Sequence, residues 1–365
     1  MRFVSLQHSG FRNLVSATLS LDATHVIFLG ENGQGKTNLL EALYMVSYGT
    51  SFRTRRTRHM IHFSEDRAAL TVCAVDGEQT YTVKVAIEAG SVRMFLDGKE
   101  VRDRKEVIRL FPVIVFSHED IQVVSGPPED RRRFFDQTLC LYDQLYLDDL
   151  RRYYRVLRQR NQAVKDQDER LLSVYDIQLA DIGITVCRRR EEVVEAFNGL
   201  FPGLYASVSG MDESLHIRYR PSWETRNTRE EVCRHLHAGR DRDRVFQTTT
   251  SGPHRDRFFF IARGKQFTDT ASTGQQRLVS LVLRSAQAAF YRERTKRLPV
   301  LLLDDVLLEL DPGRRKRFLA SLTGYDQAIF TFLPDEEYGI RSLSDESITY
   351  RVAQGAFHET FITDH

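Results

Sequence analysis

Cysteine is scarce: four in 365 residues. Cys73, Cys140, Cys187 and Cys233 lie tens of residues apart with no CxxC spacing, which excludes a disulfide framework and a cysteine-rich zinc site. His235 and His237 are close enough to share one strand face but lack a third ligand, so no metal is expected there. No apolar run reaches the roughly 18 residues of a membrane span. The opening MRFVSLQHSGFRN has no signal-peptide core, so a cytoplasmic protein without a membrane partner is expected. Charge of one sign is also missing: 52 Lys+Arg face 50 Asp+Glu, a net +2. That excludes binding by bulk positive charge and leaves local patches open. A hydrophobic fraction of 41% and a charged fraction of 28% rule out bulk disorder. The length suits two domains, or one large domain carrying an insertion.

What is present falls into three stretches. Thr24-His25-Val26-Ile27-Phe28-Leu29 reads as a short buried strand, followed by a Gly-rich turn and the helical composition of residues 38–43. Between Ala68 and Leu96, β-branched runs are punctuated by Asp76-Gly77, Glu88-Ala89-Gly90 and Asp97-Gly98, which predicts antiparallel hairpins. Pro112 to Phe116 is a further strand. From Glu129 to Phe197 proline disappears and Gly183 is the only glycine. Leu139, Tyr142, Tyr146, Leu150, Tyr154 and Leu157 recur at threes and fours, predicting amphipathic helices that close at Pro202-Gly203. Strands resume at 215–219 and 257–262, then a helix over 275–293 and an apolar strand over 299–303. The expected plan is an α/β head in two parts, 1–125 and 206–365, with an all-helical arm inserted at 126–205.

Gly30-Glu31-Asn32-Gly33-Gln34-Gly35-Lys36-Thr37 fits GxxxxGK[ST]. Backbone N–H groups and the following helix N-terminus would cradle phosphate, Lys36 would reach the β/γ-phosphates, and the Thr37 hydroxyl would bind Mg²⁺. The plain alternative is a Gly-rich turn. Val300-Leu301-Leu302-Leu303-Asp304-Asp305 is the apolar strand ending in acid that a P-loop fold uses beside the metal. Asp304 is the metal candidate, and Asp305 is placed to orient or deprotonate water. Aspartate reaches less far than glutamate, which points to slow hydrolysis. Ser272-Thr273-Gly274-Gln275-Gln276-Arg277 precedes a helix and reads both as an N-cap and as an anion-binding turn. It lies about 30 residues before Asp304, where ABC-type ATPases carry their signature motif. Lys36 and Asp304 are 268 residues apart, so a compact P-loop domain needs an insertion between them.

The sequence resembles the RecF family of bacterial DNA replication and repair proteins, which are SMC-like ABC-type ATPases. The resemblance rests on Phe11-Arg12-Asn13, the P-loop with Asn38-Leu39-Leu40-Glu41-Ala42, and Gly49 with Ser51-Phe52-Arg53. It continues through Phe116-Ser117, Glu119-Asp120, Gly126-Pro127, Arg131-Arg132, Asp136 and Ser251-Gly252-Pro253-His254-Arg255-Asp256. Ser272 to Arg277 and Leu301 to Asp311 complete it. The resemblance implies an ABC-type α/β head with mixed parallel and antiparallel sheets and a short helical arm. It also implies an ATP-driven homodimer that binds duplex DNA and single-strand gap junctions. Such proteins act with RecR and RecO to load RecA in DNA repair and the SOS response, with weak DNA-stimulated ATP hydrolysis. By matched position, residues 30–37 bind ATP, Thr37 and Asp304 hold Mg²⁺, and Asp305 is the hydrolytic carboxylate. Ser272, Gly274 and Gln275 complete the partner's site. Three positions depart from the pattern: Leu308 for a serine, His118 for a proline, and Ile329-Phe330-Thr331-Phe332 for a threonine-richer strand.

Two arginine runs could meet DNA. Arg53, Arg55, Arg56 and Arg58 fall within six residues without an acid. Arg151, Arg152, Arg155, Arg158 and Arg160 share a helix, with 151, 155 and 158 on one face. For the helix, a solvated face paired with Asp148, Asp149 and Asp166 is the competing reading. Two other functions stay open: an ATP-binding recruitment protein with negligible turnover, and an ABC transporter subunit. The missing Q-loop and the long insertion weigh against the transporter.

Overall fold

The structure, a computed structural model, describes residues 1–54, 56–211, 215–224, 227–307, 310–334 and 347–360. Two compact units emerge: Met1–Asp120 with Gln287–His365, and Ile121–Ala286.

The first unit contains two sheets. The antiparallel one runs β2 (Ala17–Ser20), β1 (Arg2–Ser9), β4 (Arg67–Asp76), β5 (Gln79–Glu88), β6 (Ser91–Leu96), β7 (Lys99–Glu100). Its hairpins turn where the Gly-containing breaks were read. Alternation buries Val83, Val85 and Ile87 on one face of β5 while Thr82, Lys84 and Glu88 stay exposed. The other sheet runs β15 (Ala356–Thr360), β14 (Ser347–Ala353), β3 (His25–Leu29), β13 (Gln327–Phe332), β12 (Val300–Asp304), β8 (Val113–Phe116). All neighbours there are parallel except β14–β15. β3, β8, β12 and β13 are buried along their whole length, as strands covered on both faces must be. Helix α1 (Lys36–Tyr48) and the short α2 (Lys105–Leu110) join the apolar core of Phe3, Leu39, Leu43, Val85 and Leu302. α10 (Pro312–Ser321) starts at Asp311, whose side chain caps it.

The second unit holds α3 (Ile121–Ser125), α4 (Pro128–Tyr142), α5 (Gln144–Asp166), α6 (Glu169–Ser209), α7 (Arg229–Ala238), α8 (Arg240–Phe246) and the first part of α9 (Thr273–Thr295). It also contains a small sheet, β11 (Lys265–Gln266), β10 (Arg257–Ala262), β9 (Leu215–Arg220). Three expectations change here. Residues 126–205 are helical as expected, but the compact unit they belong to does not close at 205 and continues to Ala286, because β9 and β10 pack on α6 and α4. α6 runs through Pro202 to Ser209. Phe201, Tyr205 and Val208 are buried at i, i+4 and i+7, and this packing overrides the proline. His235 and His237 sit on α7, not on a strand. No group of three or more metal-ligating side chains occurs among the described residues.

Two buried arginines hold this unit together. Arg190 binds Asp136 through Nε and Nη2 (both 2.9 Å) and Asp256 through Nη1 (2.8 Å). Arg160 binds Asp176, Asp243 and Thr249. The Gly252–Asp256 motif therefore anchors the fold: Asp256 meets Arg190, and His254 meets Tyr153 Oη at 2.7 Å. Burial lowers the His254 pKa to about 4. Gly183, the one glycine between Glu129 and Phe197, is explained by Trp223, whose ring would lie 2.4 Å from an added Cβ.

Candidate nucleotide site

Parallel pairing sets the site. Thr331 on β13 aligns with Asp304 on one side and Phe28 on the other, so the C-terminal ends of β3, β13 and β12 share an edge. Open α/β sheets gather ligands at that edge. The loop leaving β3 turns through Gly33 (φ 79°) and Gly35 (φ 116°), left-handed conformations that favour glycine. Gly35 precedes α1 and offers no side-chain cap, and the first turn carries no acid. By contrast, Asp143, Asp168 and Thr228 cap α5, α6 and α7. The N–H groups at the start of α1 thus remain available for an anion.

A cleft of about 230 Å³ is lined by Glu31, Asn32, Gly33, Gly35, Lys36, Thr37, Asn38, Arg53 and Asp305. Lys36 is 3% exposed; its Nζ donates to Gly30 O (2.6 Å) and Glu31 O (3.2 Å) and lies 3.4 Å from Asp305 Oδ2. Thr37 Oγ1 donates to Asp304 Oδ1 at 2.7 Å. Thr331 Oγ1 lies 3.3 Å from the same oxygen and accepts from Asp305 N at 2.8 Å. Burial pushes the Asp304 carboxyl above its ordinary range, assisted by the charge of Asp305 and opposed by the Thr37 bond. Asp305 adopts φ 50°, and its Oδ1 is buried without a hydrogen-bond partner. A hydroxyl beside a carboxylate is a donor set suited to a hard cation such as Mg²⁺. The whole can cradle a polyphosphate, ligate a cation beside it and offer a carboxylate oxygen to water.

The sequence reading located the P-loop, Asp304 and Asp305, and the structure brings all of them together. It missed the roles of five residues. Thr331 was noted only as a departure, yet it ties Asp304 to Asp305. Asn13 Nδ2 donates to Gly33 O at 3.4 Å and Asn13 Oδ1 accepts from Asn38 at 2.7 Å. Glu41, fully buried on α1, pairs with Arg12 (2.6 Å) and Arg53 (3.5 Å). Gln354 and Gly355 bond to Gln34 from outside the cleft. The Arg12-Asn13 pair was in view as a motif; nothing local in the sequence signals Gln354.

Glu41 corrects the premise that no acid faces the first arginine run. Arg53 also donates to Asn38 (2.7 Å) and lines the cleft, so it faces the P-loop. Arg58 donates to Glu65 O and Phe63 O, Arg56 is exposed, and Arg55 lies outside the described residues. On α5, Arg151, Arg155 and Arg158 are exposed on one face as expected, whereas Arg160 is buried. Arg151 lies 3.6 Å from Asp148; Arg155 and Arg158 have no acidic partner among the described residues. Ser272 caps α9 reciprocally: Ser272 N donates to Gln275 Oε1 (2.8 Å) and Gln275 N to Ser272 Oγ (3.3 Å). Ser272, Thr273 and Gly274 are exposed. Leu308 lies outside the described residues, and His118 opens a short 3₁₀ turn, His118–Asp120.

The doubly covered sheet, P-loop and acid-ended strand define the chain as an ABC-type ATPase head of the SMC class, and the family model "RecF/RecN/SMC N terminal domain" matches residues 3–337. It is similar to an Smc head domain from Pyrococcus furiosus in fold (TM-score 0.58, 16% identity, 98% of this chain and 96% of that one). Within that class the chain belongs to the RecF family of DNA replication and repair proteins. It is 41% identical to RecF of Treponema pallidum over 96% of this chain and 99% of the relative. It is 33% identical to RecF of Symbiobacterium thermophilum over 97% of each. A solved structure of the recombination mediator protein RecF-ATP in the RecFOR pathway matches with TM-score 0.89 and 26% identity, covering 99% and 98% of the two chains.

Proposed function

We propose that the protein is an ATP-switched DNA clamp of replication and recombinational repair. The observation that carries this reading is the 2.7 Å bond between Thr37 Oγ1 and Asp304 Oδ1, which unites the two halves of a nucleotide–metal site separated by 267 residues. In this reading Lys36 and the N–H groups of residues 33–37 hold the ATP phosphates. Thr37 and Asp304 hold Mg²⁺, which neutralises developing phosphate charge. The unpartnered Asp305 Oδ1 takes the proton of the attacking water. Ser272 and Gly274, exposed on a capped helix start, and the half-buried Gln275 meet the nucleotide of a second copy, so ATP favours the dimer by its extra contacts there.

DNA is held through phosphate, chiefly by Arg151, Arg155 and Arg158 on the exposed face of α5, and by the separate run that contains Arg55 and Arg56. The partners are duplex DNA, gap junctions, RecR, and through it RecO and RecA; the family resemblance and the RecFOR-pathway relative support this. No helix among the described residues is long and apolar enough to cross a membrane, consistent with a cytoplasmic site of action.

The test is ATP-dependent binding to gapped and fully duplex DNA across a salt titration. ATP–Mg²⁺ should tighten binding to both, with a steep salt slope. Binding that ignores nucleotide sinks the switch. One observation favours a second reading, recruitment with negligible turnover: Asp305 Oδ2 lies 3.4 Å from Lys36 Nζ, an engagement that competes with activating water. An ATPase rate that stays flat as DNA is added selects that reading.

A further inference from the structure

We infer that the β14–β15 turn, Gln354-Gly355, is an outer clasp that presets the P-loop for nucleotide, with Gly355 and Gln34 as positioning residues. This rests on the reading that the cleft binds ATP. Gly355 N donates to Gln34 O at 2.9 Å, and Gln354 N donates to Gln34 Oε1 at 2.6 Å. Val15 N returns a bond to Gly355 O at 2.9 Å. Gln34 is the one residue between Glu31 and Asn38 that does not line the cleft, so its side chain serves the clasp.

A trans peptide is planar, and its C=O and N–H point in opposite directions. Fixing Gln34 O on the turn therefore aims the Gly35 N–H away from the turn, on the side where Gly35 lines the cleft. Asn13 Nδ2 on Gly33 O holds the preceding peptide in place. The Gly35 N–H is thereby oriented before a phosphate arrives, which removes ordering cost from binding.

The three segments meet too closely for anything but glycine at the turn. Gly355 has φ +78°, and an added Cβ would lie 2.0 Å from Asn13 O. Gly35 faces the same place: its Cβ would lie 2.9 Å from Leu14 Cδ2 and 3.6 Å from Gly355 Cα. Any side chain at 355 must push the Asn13–Leu14 segment or withdraw the turn from Gln34.

The experiment measures ATP binding and steady-state hydrolysis for Gly355→Ala and Gln34→Ala, with Gly98→Ala as control. Gly98 has a comparable φ of +79° in a hairpin with nothing within 4 Å, so it carries the backbone strain alone. Gly355→Ala should weaken ATP binding about 10-fold and Gln34→Ala about 3-fold, read as KM rather than kcat. Gly98→Ala should bind as the parent does. If Gly355→Ala does not fold, Gln34→Ala decides alone. Parent-like binding by the clasp variants overturns the clasp, as does equal weakening by Gly98→Ala. A parent protein that binds no ATP overturns the nucleotide reading itself, and the clasp with it.

Discussion

Thr37→Val changes almost no volume and removes one hydroxyl. In the structure that hydroxyl donates at 2.7 Å to Asp304, whose other side-chain partner is Thr331 at 3.3 Å. Asp304 is 6% exposed, so water does not take the place of the lost donor. A hydrogen bond to a charged group contributes about 1.5–3 kcal/mol net. Unfolding free energy at neutral pH should fall by that order, and the Asp304 carboxyl should rise further above its ordinary range. The sharper readout is the cation. If Thr37 and Asp304 form the Mg²⁺ site, Thr37→Val should keep its ATP affinity in EDTA within about threefold and lose the gain that Mg²⁺ confers. Thr37→Ser, which restores the hydroxyl, should recover both stability and the Mg²⁺ gain. A fluorescent-nucleotide titration at several free Mg²⁺ concentrations, paired with urea melts, measures the two together. Full Mg²⁺ dependence in Thr37→Val would refute the assignment.

Arg190→Met should cost about 3–5 kcal/mol, because it leaves Asp136 and Asp256 buried against lost partners. Adding Asp136→Asn should recover part of that in a urea melt; full additivity would count against the paired-charge explanation. His8 on β1 has neither ring nitrogen hydrogen-bonded, and burial lowers its pKa to about 4 from 6.5. Its contribution is complete above pH 6.5 and is lost as pH falls towards 4, by at most about 3 kcal/mol. His8→Leu should flatten that part of the stability–pH curve, and an unchanged curve contradicts the burial. Arg155→Ala with Arg158→Ala should lower the log–log salt slope of duplex binding by about 0.9 for each lost phosphate contact. An unchanged slope places DNA elsewhere.

The parts legible in the sequence were those whose signal is contiguous. β3, the P-loop and α1 follow one another without a break, and β12 is an apolar run ended by Asp304 and Asp305. The hairpins between Arg67 and Glu100 announced themselves through Gly turns with alternation. What escaped depends on contacts between distant segments. Glu41 neutralising Arg53 joins a helix to a loop, and Arg160 faces Asp243 from 83 residues away. Pro202 looked like a terminus because a proline's local cost is large, yet Phe201 and Tyr205 bury enough surface to continue the helix. Helices α7 and α8 carry too many charges, Arg229 to Arg244, to show an apolar stripe. The β14–β15 turn contacts the P-loop across 320 residues.

The clamp is tested most directly by sedimentation of the protein at micromolar concentration with no nucleotide, with ADP–Mg²⁺ and with ATP–Mg²⁺. Lys36→Met and Ser272→Arg should be run alone and mixed. A monomer that becomes a dimer only with ATP–Mg²⁺ is expected. Each variant alone should stay monomeric, and the mixture should form dimers through its one intact composite site. A parent protein that remains monomeric in ATP–Mg²⁺, or a Ser272→Arg variant that dimerises like the parent, would contradict the ATP-switched dimer.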